Sequence, residues 1–154
     1  MFKGFKFKIR GKPPETVIVK HLDEIEAGLE RLGHHSSYLL VTGTGKTKEL
    51  GEEVKAKFVK HKLIGPYLVI NASWDCGYGI AAAAEKENVD YILGIGAGKV
   101  GVDIKLASKI CGKEAAYVPT APTNDGLDTT LVSVRQNGIP QSVRVPQYKK
   151  VLVE

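Results

Sequence analysis

Three stretches of this 154-residue chain combine residue types and spacings that could hold a ligand: TGTGKT from Thr42, GIGAGKVG from Gly94 and PTAPTNDGLD from Pro119. TGTGKT ends like a phosphate-binding P-loop, but the glycine that opens such a loop would have to stand at Leu40. Leu40 lies inside the apolar run YLLV, so no tight turn can begin there and an ATPase loop is excluded. GIGAGKVG contains Gly96-Ala97-Gly98-Lys99-Val100-Gly101, formally G-x-G-x-x-G at a strand-to-helix junction. A phosphate there would meet bare N–H groups and the positive end of a helix dipole. The same glycines could instead serve only a tight turn. The motif stands late in the chain, and no acid ends the next strand to hold a ribose.

The third stretch gathers Thr120, Thr123, Asn124, Asp125 and Asp128 between a buried strand and a hairpin, with two prolines restricting the backbone. Asp125-Gly126 reads as a turn, or as a carboxylate placed to hold a metal or a substrate hydroxyl. A metal would need further ligands from elsewhere.

The elements around these loops set their positions. TVIVK (Thr16 to Lys20) reads as a strand, and Ile25, Leu29 and Leu32 lie at helical spacing over Asp23 to Leu32. Strand and helix then alternate: SYLLVT, a helix over Thr47 to His61, PYLVI, a helix over Asp75 to Lys86, VDYILGI, a helix over Lys99 to Cys111, and AAYVPT. Near-continuous apolar strands alternating with helices predict an α/β fold with a doubly wound, mainly parallel, Rossmann-like sheet. TLVSVR and QSVRV flank an Asn-Gly turn signal, so a C-terminal antiparallel β-hairpin follows, then a last strand KVLVE. FKFKIR (Phe5 to Arg10) alternates apolar and basic residues, as an edge strand with one buried face would.

Composition narrows the classes. Apolar residues make up 43% and charged residues 25%, which suits one globular domain over residues 1–154. No apolar run approaches the ~18 residues of a membrane span, and the start lacks a signal-peptide core, so a cytoplasmic protein with no membrane partner is expected. Cys76 and Cys111 are too few for a disulfide framework and should stay reduced. The net charge of +5 suits an anionic ligand; nucleic acid is set aside because the glycine loops already account for it. His34 and His35 read as a solvated turn.

Taken together, strand, GIGAGKV, helix and a strand ending in YVPTAPTNDG resemble the amino-terminal half of the glycerol-1-phosphate dehydrogenase and glycerol dehydrogenase group. That group is related to iron alcohol dehydrogenases and dehydroquinate synthase. TVIVKHLDEIEAGLERLG is similar to its opening strand and helix, and YLLVTGTGKTKELGEEV to its first nucleotide-binding unit. The run Thr120 to Gly126, TAPTNDG, is similar to the threonine-alanine-x-serine-histidine-aspartate-glycine run of the glycerol-1-phosphate enzymes.

The resemblance implies that NAD or NADP binds Thr42 and Gly43 in the first turn, Gly96, Ala97, Gly98 and Lys99 in the glycine loop, and Thr120 and Thr123 near the nicotinamide. It makes Asp125 the metal-binding aspartate, with zinc or iron completed by histidines from a helical domain. The sequence stops at Glu154, where that domain would begin, so the helical metal-binding domain is expected to be absent and the isolated chain inactive. The implied substrate is a phosphorylated small molecule, dihydroxyacetone phosphate or glycerol 1-phosphate. The implied partner is a second copy, paired through FKFKIR, or a separate helical subunit, covering apolar surface left along Pro119 to Asp128 and the final strand. The alternatives are a non-catalytic nucleotide-binding module and a truncated relative of glycerol dehydrogenase or dehydroquinate synthase. The family loop reads Gly-Gly-Gly-x-x-x-Asp, whereas Ala97 and Val102 stand here at the middle glycine and the aspartate. Asp103 comes one residue later, about 100° further round the helix.

Overall fold

The computed structural model describes residues 13–121 and 128–154, so FKFKIR, Thr123 and Asp125 lie outside the described residues. The strands are β1 (Thr16–Val19), β2 (Tyr38–Thr42), β3 (Leu63–Leu68), β4 (Tyr91–Gly96), β5 (Glu114–Pro119), β6 (Leu131–Gln136), β7 (Ile139–Arg144) and β8 (Lys149–Val153). The α-helices are α1 (Ile25–Arg31), α2 (Lys46–Lys57), α3 (Trp74–Lys86) and α4 (Gly98–Cys111). Six strands form one sheet in the order β1-β8-β5-β4-β2-β3, and every pair in it is parallel. The expected doubly wound α/β architecture is present.

The period of two in the strands explains the two cores. Leu39 and Val41 of β2 join Ile80 and Ala84 of α3 and Ile104 of α4 on one face. Tyr38 and Leu40 turn the other way, to Leu29 of α1 and Val54 of α2. A strand buried on both sides reads as a near-continuous apolar run, which is why β2 opens YLLV before the buried Thr42.

The hairpin stands where the Asn-Gly signal put it. Asn137 and Gly138 both take positive φ, 52° and 78°, the primed turn that matches strand twist. Val132 and Val134 of β6 pack with Leu106 of α4 and with Trp74, so the hairpin covers the outer side of the α3–α4 layer.

Four expectations need correction. The second helix ends at Lys57 rather than His61, because Glu26 of α1 accepts the backbone N–H groups of Val59, Lys60 and His61 from outside the helix. The strand expected at PYLVI begins earlier, at Leu63, and ends at Leu68. The apolar surface expected along the final strand is largely covered: β8 sits between β1 and β5, and Val151 is fully buried. His34 is not a solvated turn residue either. Its ring is fully buried, stacks on Tyr91 at 3.9 Å, and lies 3.2 Å from Glu114 through Nε2. The histidine pair concealed a planar apolar contact.

Candidate functional site

From β2 the chain moves outward to β3, and from β4 it moves the opposite way to β5, so the winding reverses between β2 and β4. In such sheets ligands bind beyond the carboxyl ends of the strands at this reversal. TGTGKT leaves β2 there and the glycine loop leaves β4. The two loops touch closely. A Cβ added at Gly96 would stand 3.8 Å from the backbone nitrogen of Gly43 and 2.7 Å from Cγ2 of Val100. Only a glycine lets the end of β4 run this close under the first turn of α4.

The carbonyl of Gly96 is doubly held. It accepts the backbone N–H of Thr120 at 3.1 Å and the hydroxyl of Tyr117 at 2.9 Å. That fixes the point from which α4 starts, with Ala97 as its N-cap and Gly98 as its first residue. The backbone N–H of Val100 turns back to the Ala97 carbonyl at 3.1 Å. Helix heads carry N–H groups with no partner inside the helix, and they attract anions. Ala97 and Lys99 are exposed at this head, and Gly96 is buried behind them.

TGTGKT makes the head of α2. Gly45 is its N-cap with φ 69°, and a Cβ there would meet nothing within 4 Å, so its surroundings are open. Thr44, Gly45 and Lys46 are exposed. Thr42 is different: it is fully buried, its hydroxyl donates to the Gly43 carbonyl at 2.9 Å, and its methyl would meet a Cβ at Gly51 of α2. Its side chain shapes the turn from beneath. Gly43, Gly96 to Lys99 and Thr120 are thus gathered at one sheet edge, with Thr42 under it.

Three residues that the sequence reading passed over or misplaced support this edge. Tyr117, read only as part of an apolar strand, holds the Gly96 carbonyl. Lys105 is fully buried in α4. Asp103 is also fully buried, and its Oδ1 accepts the N–H of Ser73, the N-cap of α3. Burial pushes its carboxyl up to about 7, while the Ser73 N–H pulls the other way. The sequence signal was present: three polar residues at positions whose neighbours are all apolar.

For a metal the described residues offer less. No group of three histidine, cysteine, aspartate or glutamate side chains among them could hold one. Asp128, nearest in sequence to the expected metal aspartate, lies 3.0 Å from Lys150 Nζ through both carboxylate oxygens.

Comparison with known proteins decides the family. The iron-containing alcohol dehydrogenase family model matches residues 17–149. The chain belongs to the iron-containing alcohol dehydrogenase family. Within it, the chain is 29% identical over 143 residues to glycerol-1-phosphate dehydrogenase [NAD(P)+] of Saccharolobus islandicus, covering 92% of this chain and 41% of that enzyme. It is 28% identical over 134 residues to the enzyme of the same name from Haloquadratum walsbyi, covering 86% of this chain and 38% of the relative. Among solved structures, maleylacetate reductase from Agrobacterium tumefaciens superposes with a TM-score of 0.75 at 15% identity, over 95% of this chain and 42% of that one. A probable glycerol dehydrogenase from Sinorhizobium meliloti 1021 gives 0.70 at 18% identity, over 94% and 40%. The chain spans about two fifths of the length of the relatives it matches. No helix among the described residues is long and apolar enough to cross a membrane.

Proposed function

We propose that this chain is the NAD(P)-binding unit, a single domain, of a cytoplasmic oxidoreductase of the glycerol-1-phosphate dehydrogenase type. The carrying observation is the meeting of Gly43, Gly96 and Thr120 at the reversal of the sheet, with the heads of α2 and α4 beside them. The pyrophosphate lies against Gly96, Ala97, Gly98 and Lys99, with Thr42 and Gly43 forming the floor and Thr120 and Thr123 on the nicotinamide side. Bound NAD(P) would supply or accept hydride; the chain's own part is to bind and orient it. No carboxylate follows β2 to reject the extra phosphate of NADP, since Gly43 stands there, so both cofactors bind.

Completed by a helical segment that brings metal-binding histidines to Asp125, the assembly interconverts dihydroxyacetone phosphate and glycerol 1-phosphate. Zinc or iron is the metal in that setting. A second copy of the chain or a helical subunit is the proposed partner. Ile18, Leu68, Ile70 and Tyr78 are exposed apolar side chains available to such a partner.

Calorimetric titration of the chain with NADH and NADPH tests the reading, with binding expected in the range up to about 1 mM, ~4 kcal/mol. Gly98→Asp should abolish it by setting a negative side chain where the pyrophosphate lies. Ala97 and Val102, which replace a glycine and an aspartate of the family loop, favour the second reading, a module without chemistry. If neither cofactor binds, the nucleotide reading fails and a binding module that kept the sheet without the chemistry is favoured instead.

A further inference from the structure

A continuous set of buried side chains runs from the glycine loop to the return of the Pro119–Asp128 loop. Tyr117 donates its hydroxyl to the Gly96 carbonyl at 2.9 Å, and its ring packs against Tyr148 with centroids 5.0 Å apart. Lys105 lies over the Tyr148 ring, 4.2 Å from its centroid, and donates to the Thr129 carbonyl at 2.7 Å. Lys150 pairs with the carboxylate of Asp128, and the Gln147 amide donates to the Asp128 carbonyl at 2.7 Å. The same helix that presents Gly98 and Lys99 at its head therefore grips the loop's return two turns later, through Lys105.

A lysine is seldom fully buried without a task, since its ammonium gives up hydration. Burial draws the Lys105 pKa down to about 8, with the Asp128 charge opposing, so it still carries its charge at pH 7. A methionine would fill the same space against the Tyr148 ring without that cost. What methionine would lack is the grip on Thr129.

We propose that Lys105 is a positioning residue of the nucleotide cleft: through Tyr148 and Tyr117 it ties the return of the Pro119–Asp128 loop to the head of α4, so that dinucleotide binding and placement of that return depend on each other. The proposal rests on the nucleotide reading given above. Coupling of this kind is reciprocal, so whatever loosens the return lowers nucleotide affinity, and bound nucleotide is felt at the return.

The test is a ¹H–¹⁵N titration of the whole chain with NADPH. In the wild type, shifts are expected at Ala97 to Lys99, where the nucleotide sits, and also at Thr129 to Leu131. Lys105→Met should lose the second set and weaken binding on the order of fivefold or more. Lys105→Arg keeps a buried cation within reach of Thr129 and should retain both. Tyr117→Phe removes only the hydroxyl on Gly96 and serves as the second variant if Lys105→Met does not fold; it should also silence Thr129 to Leu131. Shifts at Ala97 to Lys99 without any at Thr129 to Leu131 in the wild type overturn the coupling alone. So does unchanged affinity and response in the variants. No shift at Ala97 to Lys99 overturns the nucleotide reading and the coupling with it.

Discussion

Asp103 of α4 accepts a hydrogen bond from the backbone N–H of Ser73, 3.0 Å away, and so joins the middle of α4 to the head of α3. Its second oxygen is buried and has no hydrogen-bond partner among the described residues. The carboxyl is pushed up from an ordinary 3.8 to about 7, chiefly by burial. An acid whose pKa is raised by folding binds more protons folded than unfolded, so its ionisation opposes the fold. Through this group, stability should fall as pH rises from about 4 to about 7. Asp103→Asn keeps an acceptor for Ser73 and removes the charge. Thermal unfolding across pH should show the variant gaining most over the wild type at pH 8 and least near pH 4; a constant difference would refute the assignment.

His34 should act on the acid side, with the opposite sign. Its pKa is lowered from 6.5, first by burial; Glu114 opposes this, and Lys149 and His35 add to it. The ring is packed between Tyr91 and Tyr38, and its Nδ1 is buried without a partner among the described residues. The unfolded chain protonates first, so the stability this residue contributes is intact above about pH 6.5 and is lost as pH falls below it. His34→Phe keeps a ring on Tyr91 and cannot be protonated. Urea unfolding at pH 7.5 and 5.0 should show a smaller acid loss in the variant than in the wild type, and an equal loss would count against this account.

How far these features could be read from sequence depends on which rule placed them. The strands YLLVT, YILGIG and EAAYVP were legible because burial on both faces keeps their central positions apolar. The Asn137-Gly138 turn was legible because few residues accept positive φ. The meeting of Gly43 and Gly96 followed from the βα alternation, since a doubly wound sheet sends both loops to one edge. Helix ends were less legible: nothing local shows that Glu26, more than thirty residues earlier, takes the N–H groups after Lys57. The central place of β8 was hidden for a similar reason, because strand order is a long-range property that the residues of KVLVE do not carry. His34 was read as solvated because histidine is polar, and Lys105 drew no notice; the partners of Asp103, Lys105 and His34 are all supplied by other elements.

Glu26 gives a stability prediction of its own. Its carboxylate, almost wholly buried, accepts the backbone N–H of Val59, Lys60 and His61 at 3.2, 3.2 and 2.9 Å. Burial alone would raise its pKa, yet these N–H bonds hold it below the ordinary value. Glu26→Ala should cost about 2–3 kcal/mol, since buried donors left unmet cost about 1–3 kcal/mol each and the exposed side of this loop can turn partly to water. Urea unfolding measures it directly. A loss under about 0.5 kcal/mol, the range of ordinary surface changes, would mean the loop finds other partners.

The glycine loop offers the most direct link between sequence, packing and ligand. A Cβ at Gly96 would stand 2.7 Å from Cγ2 of Val100 and 3.2 Å from its Cβ, so Gly96→Ala must push the first turn of α4 away from β4. That turn carries the N–H groups proposed to face the pyrophosphate, and displacing them should weaken NADPH binding about tenfold, ~1.4 kcal/mol. Val100 is buried and its Cγ2 is the atom in the way. Val100→Ala alone should cost stability through the cavity it leaves, on the order of 1–2 kcal/mol, with little effect on binding. Combined with Gly96→Ala it makes room for the new methyl, so the double variant should bind NADPH better than Gly96→Ala does. Such a favourable interaction energy in a double-mutant cycle is expected only for two groups in contact. Additive losses in affinity would show that the turn does not govern the site, and that Gly96 serves the strand end alone.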